Sequence, residues 1–319
     1  MDFNFSADQI ALKKMAQELV AKEITPYVHE MDEKNEMRPG LMKKFHDAGI
    51  LNLVVPEEYD GPGLDALSIA LIYEELGKGC AGIATSAAAN ALASYPVVVA
   101  GNDAQKRKMF DALNEGKLAA FALTEPNAGS DAGGVATTAV KDGEYYVLNG
   151  TKCFITNGGI SDIYTVFANA RKSAGIRGLT AFIVDRDTPG FSVGKKEDKM
   201  GIRPSNTTEL IFDNVRVHES MRIGREGEGF KIAMKTQDSC KLLLLRMVKA
   251  AALNYKTEKK KEKLEDGEML QILQKQAKLR KESIESYQNA GRTELVEKES
   301  KELAVLEVYL PKQLDQETI

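Results

Sequence analysis

The chain has 319 residues and little cysteine or histidine, three of each. Cys80, Cys153 and Cys240 lie far apart, so they supply neither a disulfide framework nor a cysteine-based zinc site. His29, His46 and His218 are equally scattered, which leaves no metal-ligand set. No nucleophilic triad can be assembled either, and no catalytic residue is nominated. Long apolar runs are missing: none approaches the ~18–20 residues of a membrane span, so no membrane association is expected. The opening MDFNFSADQIALKK carries acid where a signal peptide carries base, which predicts a cytoplasmic protein. A net charge of −4 disfavours binding to nucleic acid through bulk charge. What is present, 43% hydrophobic and 28% charged residues, is a globular composition with ample material for a core.

Glycine divides the chain. Of 26 glycines only Gly267 and Gly291 lie beyond residue 238, where 16 basic residues face 14 acidic ones. The first 238 residues carry 27 basic against 33 acidic residues. A glycine-rich, mildly acidic body is thus joined to a charged tail of good helix formers.

The first ~115 residues read as helical. Ser6 or Asp8 can cap a helix through IALKKMAQELVAKEI that ends before Pro26, and Gly49 can stop a second helix in the left-handed conformation. Two Ala-rich apolar segments and an amphipathic DAQKRKMFDALNEG follow. From about residue 119 the apolar period becomes two, with β-branched and aromatic runs separated by turns. Asp142-Gly143, Asn149-Gly150 and Asn157-Gly158 read as hairpin or turn signals in a small antiparallel β domain. In the tail, Leu270, Leu273, Ala277, Ile284 and Tyr287 form a helical stripe ending at Gly291. Thr293 can cap a second helix with Leu295, Leu303, Leu306 and Leu310 inward.

Two segments carry potential chemistry. In FALTEPNAGSDAGG (Phe121 to Gly134) a strand gives way to small residues that let backbone amides approach a ligand, and Ser130 could donate to a phosphate. The same residues also suit a wide turn held by its own Asn and Asp side chains. It is no GxGxxG and opens no βαβ unit, which disfavours a Rossmann dinucleotide site. In GTKCFITNGG (Gly150 to Gly159) Phe154 and Thr156 share a strand face, apt for pressing on a flat heterocycle while donating one hydrogen bond. An ordinary hairpin with Phe154 in the core fits as well. Cys153 points the other way and packs.

In order and spacing these segments, with RGLTAFIVDRDTPGFSVGKKEDKMGIR, TTELIFDNVRV and GEGFKIAMKT, make residues ~3–238 closely resemble the acyl-CoA dehydrogenases, particularly the short-chain (butyryl-CoA) type. The resemblance implies an α+β multidomain chain: an all-α domain over 1–117, an antiparallel β domain over 118–216, and the start of a C-terminal dehydrogenase domain over 217–238. It implies FAD as cofactor, an acyl-CoA substrate oxidised at its α,β carbons, and an electron-transferring flavoprotein as electron acceptor. A homo-oligomer is a further expectation. By position, Phe121, Leu123, Thr124, Gly129, Ser130, Phe154, Ile155 and Thr156 match the flavin-binding residues, with Phe154 against the ring and Thr156 near its N5 edge. Ser130 also matches a contact to the CoA portion. Asp238 and Lys241 match an acid-and-arginine contact to CoA in which lysine keeps the charge and loses the planar fork.

Past GFKIAMKTQD this resemblance ends, and no match to the helix bearing the family's glutamate base follows, so impaired turnover is expected. Residues 239–319 instead resemble the YqeY-like proteins, related to the tail domain of the tRNA-dependent amidotransferase B subunit. The resemblance runs through LRMVKAA, the KxxKxRKESIExYxxAGR helix and ELAVLEVYLPKQL. It covers that family's N-terminal half and implies, at most, contact with tRNA or an amidotransferase. The tail's interleaved charges equally suit a solvated helix face. The expected function is a short-chain acyl-CoA dehydrogenase by descent. The alternatives are a non-catalytic flavin- or CoA-binding remnant and a tRNA-associated accessory protein.

Overall fold

The computed structural model describes residues 5–129, 131–236, 255, 265–289, 292–307 and 310. They fall into two compact units, residues 6–236 and a second containing 237–319.

The larger unit opens with α1 (Ala7–Leu19), started by a reciprocal capping box between Ser6 and Gln9. A π turn over Val20–Ile24 and a 3-10 turn holding Pro26 end it, and α2 (Val28–Glu33) follows. After α3 (Leu41–Asp47), Gly49 is left-handed at φ 71°, as its position predicts. Then come α4 (Ala66–Gly79), capped by Asp65, α5 (Ala81–Ala100), and α6 (Asp103–Asn114), capped by Asn102.

Helix α5 bears on the membrane expectation. It has 20 residues with a mean hydropathy of 1.4, enough by length and composition to cross a membrane. Its apolar character comes from alanines broken by Ser86, Asn90 and Ser94, all fully buried, so no long run shows in the sequence. Those polar groups are answered inside the protein: Asn90 donates to Asn52 Oδ1 at 3.0 Å and accepts the Ala119 N–H at 2.9 Å. A helix so bonded is a core helix of the body.

The sheet contains β1 (Ala119–Ala122), β2 (Thr138–Asp142), β3 (Tyr145–Thr156), β4 (Ile163–Asn169), β5 (Leu179–Asp185), β6 (Phe191–Lys196), β7 (Thr207–His218) and β8 (Arg222–Ile223). Its order is β6-β7-β3-β2-β4-β5-β8, with β1 beside β4. Most pairs are antiparallel as expected, but β1 runs parallel to β4, and Thr138 of β2 meets Asn169 of β4 in a parallel register. The strand enters from a helix, so no hairpin fixes its direction. Asp142-Gly143 does turn β2 into β3. Asn149-Gly150 does not turn the chain: Gly150 sits inside β3 at φ 151°, at a register shift against β7. A Cβ there would lie 2.4 Å from Thr137 Oγ1 and 2.7 Å from Thr137 Cα, so close approach of the β2 entry demands glycine.

Tyr146, Tyr164, Phe182 and Phe212 fill one face of the sheet, and Phe110, Phe167, Ile183 and Ile223 help fill the helix-facing side. Phe45, Ile72 and Leu76 centre the helical core. Helix α7 (Gly229–Thr236) closes the unit.

In the second unit, α8 (Asp266–Asn289) and α9 (Thr293–Glu307) share a cluster of Leu273, Ala277 and Leu306. Of the expected stripe, Leu273 and Ala277 are buried, and Leu270, Ile284 and Tyr287 are half-buried. Thr293 is the first residue of α9, and Gly291 lies outside the described residues.

Candidate functional site

The two segments singled out in the sequence lie side by side. β1 runs out through Leu123 and Thr124, and the Cys153 N–H of β3 donates to the Thr124 carbonyl at 2.9 Å. At this point β3 bulges: Lys152 pairs with Leu210 and Ile155 with Thr208, so β3 spends one residue more than β7. The extra residue puts Phe154 at φ 57°, a left-handed conformation unusual for an aromatic side chain. Phe154 is 61% exposed, while Cys153 and Ile155 on either side are buried. A hydrophobic ring held in water by a strained backbone is a feature that a ligand would explain.

Each expected site residue has a definite place. Leu123 and Thr124 are half-buried on the β1 exit, and Thr156 is half-buried at the end of β3. Among the described residues neither the Thr124 nor the Thr156 hydroxyl has a hydrogen-bond partner, so both are available to donate. Phe121 is a packing residue, its ring 5.0 Å from that of Phe167. Ile155 sends its side chain into the core, so its position offers main chain only. Gly129 is exposed, and a Cβ there would meet nothing within 4 Å. Ser130, Asp238 and Lys241 lie outside the described residues. A groove of about 490 Å³ lies elsewhere, lined by Met37, Arg38, Ile160, Asp162, Lys196 and Asn206. None of residues 123–124 and 154–156 lines that groove.

Beneath it lies a pair that sequence reasoning missed. Lys152 Nζ donates to Glu125 Oε1 at 2.7 Å and to the Leu123 carbonyl at 3.0 Å. Burial pushes the Lys152 ammonium down to about 8 against the pull of Glu125. Burial works to raise the Glu125 carboxyl, but Lys152 and the Thr137 and Ala136 donors outweigh it and hold it below its usual range. The available signal was Lys152 as the one charged residue in the twelve-residue strand β3. Cys153 is buried, which pushes its thiol up and keeps it protonated.

These residues fit a flat, hydrogen-bonding ring: one displayed aromatic and two hydroxyls without a partner among the described residues, on backbone fixed from behind by Lys152 and the Cys153 N–H. Residues 6–117 match the acyl-CoA dehydrogenase N-terminal domain, residues 120–215 the acyl-CoA dehydrogenase middle domain, and residues 226–319 a Yqey-like protein. The short-chain specific acyl-CoA dehydrogenase of Megasphaera elsdenii is 44% identical over 279 residues, covering 85% of this chain and 73% of that one. The butyryl-CoA dehydrogenase structure from the same organism has a TM-score of 0.72 at 39% identity, covering 92% of this chain and 82% of that one. An acyl-CoA dehydrogenase complexed with FAD from Bacillus anthracis has a TM-score of 0.68 at 29% identity, covering 94% and 56%. The chain belongs to the acyl-CoA dehydrogenase family. It spans 60% of the Bacillus subtilis acyl-CoA dehydrogenase, to which it is 44% identical over 71% of its own length.

Proposed function

We propose that residues 6–236 bind FAD on the wall made by Leu123, Thr124, Phe154 and Thr156, and that the chain is a short-chain acyl-CoA dehydrogenase by descent. FAD, the cofactor of this family, supplies a hydride acceptor for α,β-dehydrogenation of an acyl-CoA. The chain's own residues bind and orient. The Phe154 ring would press on one face of the ring system, while the Thr124 and Thr156 hydroxyls would donate to its polar edge. Ile155 contributes main chain, and Phe121 holds the β1 exit from behind. By their place in the family's motifs, Gly129 and Ser130 would take the adjoining ligand portion, with Ser130 shared between flavin and CoA, and Asp238 and Lys241 would serve the CoA.

The observation that carries this reading is the Cys153-to-Thr124 hydrogen bond at 2.9 Å, which makes two segments about 25 residues apart a single surface under an exposed, left-handed Phe154. The working division is 1–117, 118–216, 217–238 and 239–319. On this reading turnover is impaired, because residues 226–319 match a Yqey-like protein. Electrons from any turnover pass to an electron-transferring flavoprotein in the cytoplasm. A second reading, favoured by the Yqey-like match, gives the tail contact with tRNA or an amidotransferase. Filter retention of tRNA that survives moderate salt would support it, and retention lost with modest salt would count against it.

Absorbance of the purified protein tests the first reading. Flavin bands that persist through gel filtration are expected, and anaerobic butyryl-CoA should bleach them slowly or not at all. Phe154→Gly should weaken FAD binding roughly tenfold through loss of the aromatic contact, without lowering Tm, because glycine adopts the left-handed backbone freely. A colourless protein that cannot be loaded with FAD sinks the assignment.

A further inference from the structure

Charged side chains are seldom fully buried, and Lys152 and Glu125 are 0% and 5% exposed. An apolar pair of similar volume would often fill such a space with equal or greater stability, so the pair calls for a reason other than packing. Its geometry supplies one. The Glu125 carboxylate accepts the Ala136 N–H at 2.7 Å and the Thr137 N–H at 3.1 Å. Glu125 stands where the chain leaves the β1 exit, and Ala136 and Thr137 stand where it enters β2. The intervening loop is therefore cinched at its neck by one carboxylate, which Lys152 of β3 grips from the other side. The same ammonium holds the Leu123 carbonyl, and the next residue along β3, Cys153, holds that of Thr124. At the loop's start Glu125 and Ala128 exchange two backbone hydrogen bonds, each 3.0 Å, so slack cannot accumulate there.

We propose that Lys152 and Glu125 act as a positioning pair. Together they lock three chain segments, the β1 exit, the β2 entry and the β3 bulge, in the register that presents Leu123 and Thr124 beside Phe154 and Thr156, so that FAD affinity depends on a pair that never touches FAD. This rests on the FAD reading above. Neither residue reaches the wall's surface, so their effect is transmitted by the carbonyls and amides they hold.

The test uses the full chain. Lys152→Met alone would strand a buried carboxylate and unfold much of the protein. The informative variant is therefore Lys152→Met with Glu125→Leu, which keeps the volume and removes both charges, and Glu125→Gln serves as a milder companion. FAD affinity is read by quenching of flavin fluorescence, the bound flavin by its visible spectrum, and the loop by hydrogen exchange at the Ala136, Thr137 and Cys153 amides of the apoprotein. The double variant should melt within a few degrees of the parent, bind FAD at least tenfold more weakly, and exchange those three amides at least tenfold faster than other sheet amides change. Glu125→Gln should move both readouts about threefold in the same direction, and it decides the matter if the double variant fails to fold. A folded variant with unchanged affinity and unchanged exchange overturns the proposal. If the parent binds no FAD, the FAD reading fails by itself, and exchange at those amides alone decides whether the pair sets the register.

Discussion

The 6–236 unit takes polar groups deep into its interior: Asn52 with Asn90, Lys152 with Glu125, and Tyr146, which donates to Glu226 at 2.9 Å and accepts from Arg222 at 2.9 Å. The helices α8 and α9 share a small apolar cluster and set their ion pairs, Lys278 with Glu282 and Lys281 with Glu307, on the outside. Apolar contacts are non-directional and tolerate sliding, whereas a buried hydrogen bond is satisfied in one geometry only. The body is thus built to hold a single arrangement of backbone around a ligand wall. The helix pair also buries a charged side chain, Arg280, which donates to Gln276 a turn earlier on α8, but its cluster is otherwise an apolar stripe, with exposed charge pairs worth only ~0.2–1 kcal/mol each.

The sharpest way to break this contrast is Gly150→Ala. The added Cβ falls on Thr137 in a backbone conformation that penalises any side chain, so a loss of roughly 3 kcal/mol in the body's unfolding transition is expected. A thermal melt that does not move would show that β2 and β3 can give way, and the picture of a single rigid arrangement would fail. Leu306→Ala should cost about 2–3 kcal/mol, the usual penalty of a cavity, but in the helix pair only. Hydrogen exchange should quicken along α8 and α9 and stay constant in β3 and β4; equal acceleration in both units would erase the distinction.

The smallest effect is in pH. The folded-state pKa of Lys152, about 8, is below its ordinary value of 10.5, so between those values the folded chain binds fewer protons at this site than the unfolded one. The cost of burying the ammonium is fully present below about pH 8 and fades as the pH rises towards 10. Relative to the Lys152→Met, Glu125→Leu variant, the parent should therefore gain stability over that interval, on the order of 1–2 kcal/mol. Denaturant titrations of both proteins at pH 7.5 and 9.5 measure it, and parallel behaviour would mean that the ammonium is not held in a low-dielectric site.

Much of this was legible in the residues themselves. The cap at Ser6, the stop at Gly49 and the Asp142-Gly143 hairpin are all local signals, set by a few neighbouring positions. What escaped was set by partners far along the chain. Asn149-Gly150 has the composition of a turn, yet it lies mid-strand because Thr137 crosses it. Ile155 belongs to the flavin-matching run, yet the bulge turns its side chain inward. The direction of β1 depends on where α6 delivers it. Lys152 escaped because the partner that makes its burial tolerable, Glu125, lies 27 residues earlier in the chain.

The bond between Asn90 and the first amide of β1 has a consequence for how such chains can be recombined. The amide of Ala119 is answered by a side chain on α5. The alignment of the strand is therefore dictated by the helical half and inherited by the sheet. A chimera that takes its helices from one homologue and its strands from another preserves the ligand wall only when the asparagine, and the spacing from it to Ala119, travel together.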